Sequence, residues 1–293
     1  MNVDVEDKFE GVIDENAMGI IEDSGDFKVT KKFAEGEVAG KVGDKTFGLL
    51  LLSALGTVSS GTGGEASTYA HTFSVQQDAQ HDSLTVEVKN PNEQKAHGNG
   101  MITKLGIKAA LGKMVEFSVG FIAKLGAVST SVPSYSAADN GFIAKDVSVK
   151  FATNIAGLGA ASAVVVKDLE LNIEKNVESD DVLGNVEPVD FLNKQFAVSG
   201  SIELAFSDTV YKALALAGTQ KAMRITIENL DVTIGTTLHP KLVIDMAKVK
   251  FAEWAKTSDQ NEIILQTLSF KAFYSTADSS MISLILTNAQ ATY

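Results

Sequence analysis

Cysteine is absent from all 293 residues. That removes disulfides, thiolate nucleophiles and cysteine-ligated metals at once, and with them the disulfide-stapled secreted scaffold. Arginine occurs once, as Arg224, and the net charge is −12. Arginine is the side chain that grips phosphates and base edges with paired donors, so its scarcity on an acidic chain argues against a nucleic-acid reader. Aromatics make up only 7%, with one tryptophan, Trp254, and five tyrosines, too few for the stacking platforms of a sugar-binding cleft. Proline occurs four times and charged residues are 21%, which does not fit a disordered or low-complexity chain. The longest apolar runs, 47–55 and 155–166, fall far short of the ~20 residues that span a bilayer. The acidic opening MNVDVEDKFEG lacks the basic-then-apolar order of a signal peptide. These absences lead us to expect a soluble protein made in a cytoplasm.

Period-two alternation is what the sequence does contain. In 84–89 (LTVEVK) Leu84, Val86 and Val88 share one face, and 168–174 (DLELNIE) alternates more strictly still. Related patterns occupy 145–151, 201–206, 224–227, 242–251, 265–274 and 281–287. One buried and one polar face is the mark of antiparallel sheet. Two segments depart from it. Residues 44–55 (DKTFGLLLLSAL) start at an Asp and stop before Gly56, and 208–217 (DTVYKALALA) stop before Gly218, which are helix start and stop signals. The expected fold is mainly β: an antiparallel β-sandwich or partial barrel with one or two short flanking α-helices. A Phe-Ala stretch ending at Gly40 leads into the first helix, and one containing Gly200 into the second. The 160-residue spacing of these glycines suggests related strand–helix–strand halves, about 1–160 and 161–293. Chance likeness between β sequences is the competing reading.

Four polar segments read as loops: 57–70, 90–100, 129–141 and 178–188. Loops of this length in a compact protein usually carry function. We take from them a set of candidate contact residues for assembly: Ser60, Gly61, Thr62, Gly63, Gly64 and Glu65; Asn92, Glu93 and Gln94; Tyr135; and Asp180 and Asp181.

Motifs for chemistry fail on spacing or context. Gly106 to Met114 suggests a phosphate loop, but five residues separate its glycines and Met114 stands where Ser or Thr should bind metal. Its surroundings read as strands, so a sheet turn is the better reading. Gly61-Thr62-Gly63-Gly64 lacks the context of a dinucleotide fingerprint. Of the four histidines, His71, His81, His97 and His239, none pair at i,i+4; His71 and His81 with Asp78 or Asp82 is the conceivable cluster, against exposed strand-end and loop histidines. No Gly-x-Ser-x-Gly elbow occurs, and the acidic run 178–181 lacks the spacing of a calcium loop. Glu87, Glu170, Glu174 and Glu203 fall at outward strand positions, and Trp254 beside Val249 and Phe251 reads as core or subunit interface. We expect no catalytic residue, cofactor or metal. The alternatives are a receptor- or carbohydrate-binding β-sandwich of a virion or cell surface, and a hydrolase with scattered carboxylates.

Residues 47–60 (FGLLLLSALGTVSS), 69–75 (YAHTFSV) and 81–88 (HDSLTVEV) resemble the major tail tube proteins of long-tailed bacteriophages. The closing pattern, from NEIIL at 261 through FKAFY at 270 and ISLILTN at 282 to Tyr293, is similar to that family's last strands and tail. The resemblance implies a β-sandwich-like subunit with a flanking helix. It also implies six copies in a ring whose inner sheets close into one barrel, rings stacked into a tube around a tape measure protein, tail-tip and terminator proteins at the ends, and DNA passing down the bore. A virion tail location follows, with synthesis in the host bacterium's cytoplasm.

Overall fold

The alternating segments become strands, except that 145–146 lie in a 3-10 turn, and among the described residues sixteen strands join into one large sheet while 178–180 and 190–192 form a separate two-stranded one. The structure, a computed structural model, describes residues 2–15, 18–22, 25–132, 139–257 and 263–293. In chain order the first elements are β1 (Asn2–Asp14), β2 (Asp26–Lys41), α1 (Phe47–Leu55), β3 (Gly56–Thr62), β4 (Tyr69–Val75) and β5 (Leu84–Lys89). Then follow β6 (Gln94–Ala110), β7 (Glu116–Ala123), β8 (Gly126–Val128), β9 (Val147–Ala152), β10 (Ala163–Val164) and β11 (Val166–Glu174). The chain continues through β12 (Glu178–Asp180), β13 (Asp190–Leu192), β14 (Ala197–Ala205), α2 (Val210–Leu216) and β15 (Lys221–Glu228). It ends with β16 (Lys241–Thr257), β17 (Leu265–Ala272) and β18 (Ile282–Asn288).

The main run of strands is β1-β2-β7-β6-β11-β14-β17-β16, every neighbouring pair antiparallel. β6 and β16 are the longest strands, each 17 residues, and each serves two layers. The C-terminal part of β6 lies in the main run, while its N-terminal part pairs with β5 and β8. β16 does the same, its N-terminal part pairing with β15 and β18. β18 carries on to β4 and β3, and β15 to β9 and β10. The result is a partial sandwich: the main run forms one layer, and the strands reached through β6 and β16 form the other. The mainly β, antiparallel expectation is met, without a closed barrel.

The core lies between these layers. Leu105, Ile107, Leu169, Leu171, Ile173, Val198, Ile202, Leu268 and Phe270 point inward from the main run, and meet Phe73, Ile225, Leu242, Ile244, Leu284 and Leu286 from the second layer. Burying a large aliphatic or aromatic side chain stabilises by about 1.5–3 kcal/mol. A much smaller cluster, Ala34, Phe121 and Ala123 with Val5, Val38 and Val86, holds the β1–β2 end.

α1 ends as its sequence predicts, on Gly56 at φ 97, a left-handed conformation that costs other residues a Cβ clash. Its start differs. Asp44 does not cap the helix; its carboxylate accepts the Asn140 backbone N–H at 2.7 Å and the Asn140 side-chain amide at 2.9 Å. In α2, Asp208 does accept an N–H at the helix start, from Val210 at 3.0 Å. The expected turn between Gly106 and Met114 is the β6–β7 hairpin, with Gly112 at φ 73.

Three expected loops are partly strand. Residues 57–70 contain β3 and the start of β4, paired as a hairpin from Gly56↔Val75 to Thr62↔Tyr69. Within 90–100, β6 begins at Gln94. Within 178–188, Glu178–Asp180 pairs with Asp190–Leu192. The strands at 57–62 and 178–180 are exposed or lie on edges, so no buried face imposes alternation on them, while at the start of β6, paired with β5 and β8, Gly98 and Gly100 interrupt the pattern.

Candidate functional site

The face of the main run turned away from the core is polar across eight strands. Cross-strand partners share a face, so the register can be followed from edge to edge. One row reads Asp4–Glu37–Gly120–Lys104–Glu174–Ala197, and another Lys41–Glu116–Lys108–Glu170–Ser201–Ser269–Glu253. Glu6, Glu35, Asp168, Glu203, Lys250 and Lys271 stand on the same face. Between the charges lie Gly, Ala, Ser, Thr and Asn, and carboxylates outnumber lysines. Such a surface repels a polyanion and offers neither arginine forks nor stacked rings to retain one. Glu170, Glu174 and Glu203 lie here as the alternation predicts; Glu87 lies on β5, outside the main run.

The run is open at both ends. Among the described residues β1 forms a strand ladder with β2 alone, its Asp7 carboxylate also accepting the Gly126 N–H at 3.0 Å and Lys95 Nζ at 2.9 Å, and beyond Val249 β16 pairs only with β17. Ala252, Glu253, Ala255, Lys256 and Thr257 on that stretch of β16 are exposed. Long unpaired edges are templates for another strand. Trp254 is half-buried there: its indole N–H donates to Gln266 Oε1 at 3.1 Å, and Lys212 Nζ sits 5.0 Å from the ring centroid. β1 and β2 also extend past β7 as a two-stranded arm on which Phe9, Val12, Ile13 and Phe27 are exposed.

The residues predicted for contact are scattered, and the structure does not bring them together. Ser60, Gly61 and Thr62 are on β3, which among the described residues pairs only with β4. Gly63 and Gly64 form the turn after it, Gly64 at φ 104. Glu65 is held within the chain: its carboxylate accepts the Thr237 N–H at 3.0 Å and hydroxyl at 2.5 Å and the Thr236 N–H, bonds that push its pKa down to about 2. Asn92 and Glu93 donate backbone N–H groups to Asn90 Oδ1 at 2.9 and 2.8 Å, closing the β5–β6 turn. Gln94 donates to Glu87 at 2.7 Å; with Ser129 and Ser131 also donating, the Glu87 pKa falls to about 2. Asp180 lies on β12, and Asp181 receives Lys31 Nζ at 2.7 Å, tying this loop to β2. Tyr135 lies outside the described residues.

Buried polar residues run against one expectation. His71, His81 and His97 are buried rather than exposed. His71 bridges the Ser60 hydroxyl at 2.7 Å and the Gln290 carbonyl at 2.8 Å, edge-on to Tyr293. Lys175 is buried too, its ammonium donating to the Ser53 carbonyl of α1 at 2.7 Å. Burial brings its pKa down to about 8, and burial with the Lys175 charge lowers that of His81. Both line a recess of about 510 Å³ with Asn193, Phe196 and Tyr274. Lys175 meets a carbonyl there rather than a carboxylate, a structural tie between α1 and the end of β11. Sequence gives no sign of this, because a lone lysine after an alternating strand looks like any surface lysine. Among the described residues no group of His, Asp and Glu is arranged to hold a metal ion, and no helix is long and apolar enough to cross a membrane.

The last residues dock on the start of α1. Asn288 Nδ2 donates to the Asp44 carbonyl at 2.6 Å, and Tyr293 Oη donates to the Lys45 carbonyl at 2.7 Å. Gly48 leaves room for the Tyr293 ring, which a Cβ would enter.

No curated protein matches the chain. The family model described as phage tail tube protein matches residues 11–272, most of its length. A structural protein of the virion tail accords with a molecule whose distinguishing surface is an acidic sheet face bounded by open strand edges, and the chain belongs to the phage tail tube protein family.

Proposed function

We propose that this protein assembles with copies of itself into stacked rings, forming a hollow tail tube whose bore is lined by the polar face of the main run. The observation that carries the reading is that face: eight antiparallel strands wide, poor in apolar side chains and richer in carboxylates than in lysines. Side-by-side joining of open edges buries unpaired backbone groups that would otherwise recruit strands at random. Head-to-tail stacking that does not close on itself produces a tube. DNA crossing an acidic bore is repelled from the wall everywhere, so it slides without a binding step. The resemblance implies six copies per ring, a tape measure protein inside, and tip and terminator proteins at the ends. Electron microscopy of the concentrated protein, and of tails assembled with the other tail proteins, tests the reading. Hollow tubes with the polar face inward are expected; a chain that stays monomeric in both settings overturns it.

A further inference from the structure

We infer that the chain is one strand unit repeated in tandem, and that the open stretch of β16 takes β1 of a second chain by repeating the chain's own β6–β11 junction. This rests on the self-assembly reading and deepens it by naming the seam.

The main run divides into β1-β2-β7-β6 and β11-β14-β17-β16, and the two quartets match in order of connection. In each, a hairpin (β1–β2, β11–β14) leads to a helix (α1, α2). A short strand (β5, β15), the 17-residue strand (β6, β16), its hairpin partner (β7, β17) and a final strand back on the long one (β8, β18) then follow. Registers match as well. One inward row reads Val5–Gly36–Phe121–Ile102, the other Leu171–Gly200–Phe270–Phe251. A bulge follows that row at the same place in both long strands, between Ile102 and Lys104 and between Phe251 and Glu253. Bulges are specific local features, so their coincidence in register is a stronger mark of repetition than strand count. A Cβ on Gly36 would collide with the β1 backbone, and one on Gly200 with the Glu170 carbonyl and the Phe270 ring. The equivalent glycines are therefore Gly36 and Gly200, not the Gly40 and Gly200 that spacing alone suggests.

The seam follows from this equivalence. Inside the chain the quartets join where β6 meets β11, with Lys104 directly opposite Glu174. Lys104 corresponds to Glu253, and Glu174 to Lys8. Carried across to a second chain, the junction places Glu253 opposite Lys8 and Thr257 opposite Asp4, an opposite-charge pair with its signs exchanged. The β16 side is free to do so, and on β1 Lys8, ion-paired with Glu35 of its own chain, would stand between two carboxylates. Glu253, Ala255 and Thr257 are exposed, and Val3, whose counterpart Leu169 is buried, is 39% exposed. A ring closed through this seam holds twice as many units as chains, so six lobes take three chains in place of the six copies that the resemblance implies.

Charge exchange and cross-linking test the seam. Glu253→Lys, at an exposed strand position, should leave the monomer's melting temperature unchanged, whereas Lys8→Glu also breaks the half-buried Lys8–Glu35 ion pair between β1 and β2 and should lower it slightly; each should raise the protein concentration needed for rings or tubes by about tenfold. The double variant should return to within about threefold of the unmodified protein. In the cysteine-free background, Glu6→Cys with Ala255→Cys should link neighbouring chains in assembled tubes on mild oxidation with diamide. Glu6→Cys with Trp254→Cys, on opposite faces, should not. Tubes that form while the single variants behave normally, or while the first cysteine pair stays unlinked, overturn the seam and leave the tube reading standing. An unmodified chain that forms neither rings nor tubes, alone or with the other tail proteins, removes both.

Discussion

β11 and β1 hold the same position in the two quartets, yet only β11 is enclosed. It lies between β6 and β14, and Leu169, Leu171 and Ile173 are buried against the main core. β1 has β2 on one side and, among the described residues, no strand on the other; its corresponding residues are Val3, Val5 and Asp7, the last accepting hydrogen bonds from Gly126 N–H and Lys95 Nζ. The long strands show the same contrast: Leu105 and Ile107 of β6 are buried, while Trp254 of β16 is half-buried and Lys256 exposed. Neighbourhood, rather than strand type, separates the pairs. The chain makes one such junction internally and leaves the two halves of another unused, which is what a subunit of a larger sheet looks like when alone.

That comparison breaks most sharply if the paired strands respond alike to the same insult. Leu171→Asp puts a carboxylate without a partner into the core and should cost more than about 4 kcal/mol, enough to unfold a domain of ordinary stability. Val5 is half-buried against Ala34, Phe121 and Ala123 but sits at an open edge, and Val5→Asp should cost about 1–2 kcal/mol in the isolated chain while abolishing assembly. Urea unfolding curves and sedimentation measure the two effects. Equal destabilisation would mean that β1 is already enclosed.

Next in size is Lys175, which follows β11 and has no buried equivalent after β1. Its pKa is about 8 in the folded chain against 10.5 for a free lysine. Between these values the unfolded chain binds the extra proton, so this group makes stability rise as pH increases from about 8 to 10.5. The penalty, present in full below pH 8, is about 3 kcal/mol by the linkage relation. Lys175→Met should remove that component of the pH slope, seen as the difference between the two proteins' unfolding free energies at pH 7.5 and 10. An unchanged difference would show the ammonium to be solvated.

Gly200→Ala and Gly36→Ala sharpen the contrast at smaller magnitude. Each added methyl meets backbone, but β11 is clamped on both sides and β1 is free to move outward. About 1–3 kcal/mol is expected for Gly200→Ala and less for Gly36→Ala, by thermal or urea unfolding. Smallest of all should be Glu37→Lys on the polar face, within about 0.5 kcal/mol in the isolated chain, with its consequence confined to slower DNA release from assembled virions.

What the sequence revealed follows the same division. Residues 168–174 alternate strictly because β11 has one buried and one polar face, and a reader of the sequence sees that directly. β1 carries Asp, Glu and Lys at every second position, and with little burial behind its Val and Phe residues it reads as an acidic terminus. Ser60 to Thr62 look like loop because both faces of edge strand β3 are largely wet. Gly98 and Gly100 in β6 lie where the strand passes from one layer to the other, so neither face dictates a hydrophobic pattern. Buried His71 and Lys175 left no trace, since each is held by a carbonyl more than 100 residues away in sequence, and the nearer His71 partner, Ser60, lies in what reads as loop. The matching registers were hidden for a related reason. Repetition survives in pairing and in bulge position, with few identical residues to display it.

A cryo-electron microscopy map of the assembled tail tube tests the central claim most directly. β1 of one chain is expected hydrogen-bonded antiparallel to β16 of its neighbour, Lys8 opposite Glu253, with Glu37, Glu170 and Glu174 facing the bore. A map in which these edges stay unpaired, or in which that face lies on the outside of the tube, would contradict it.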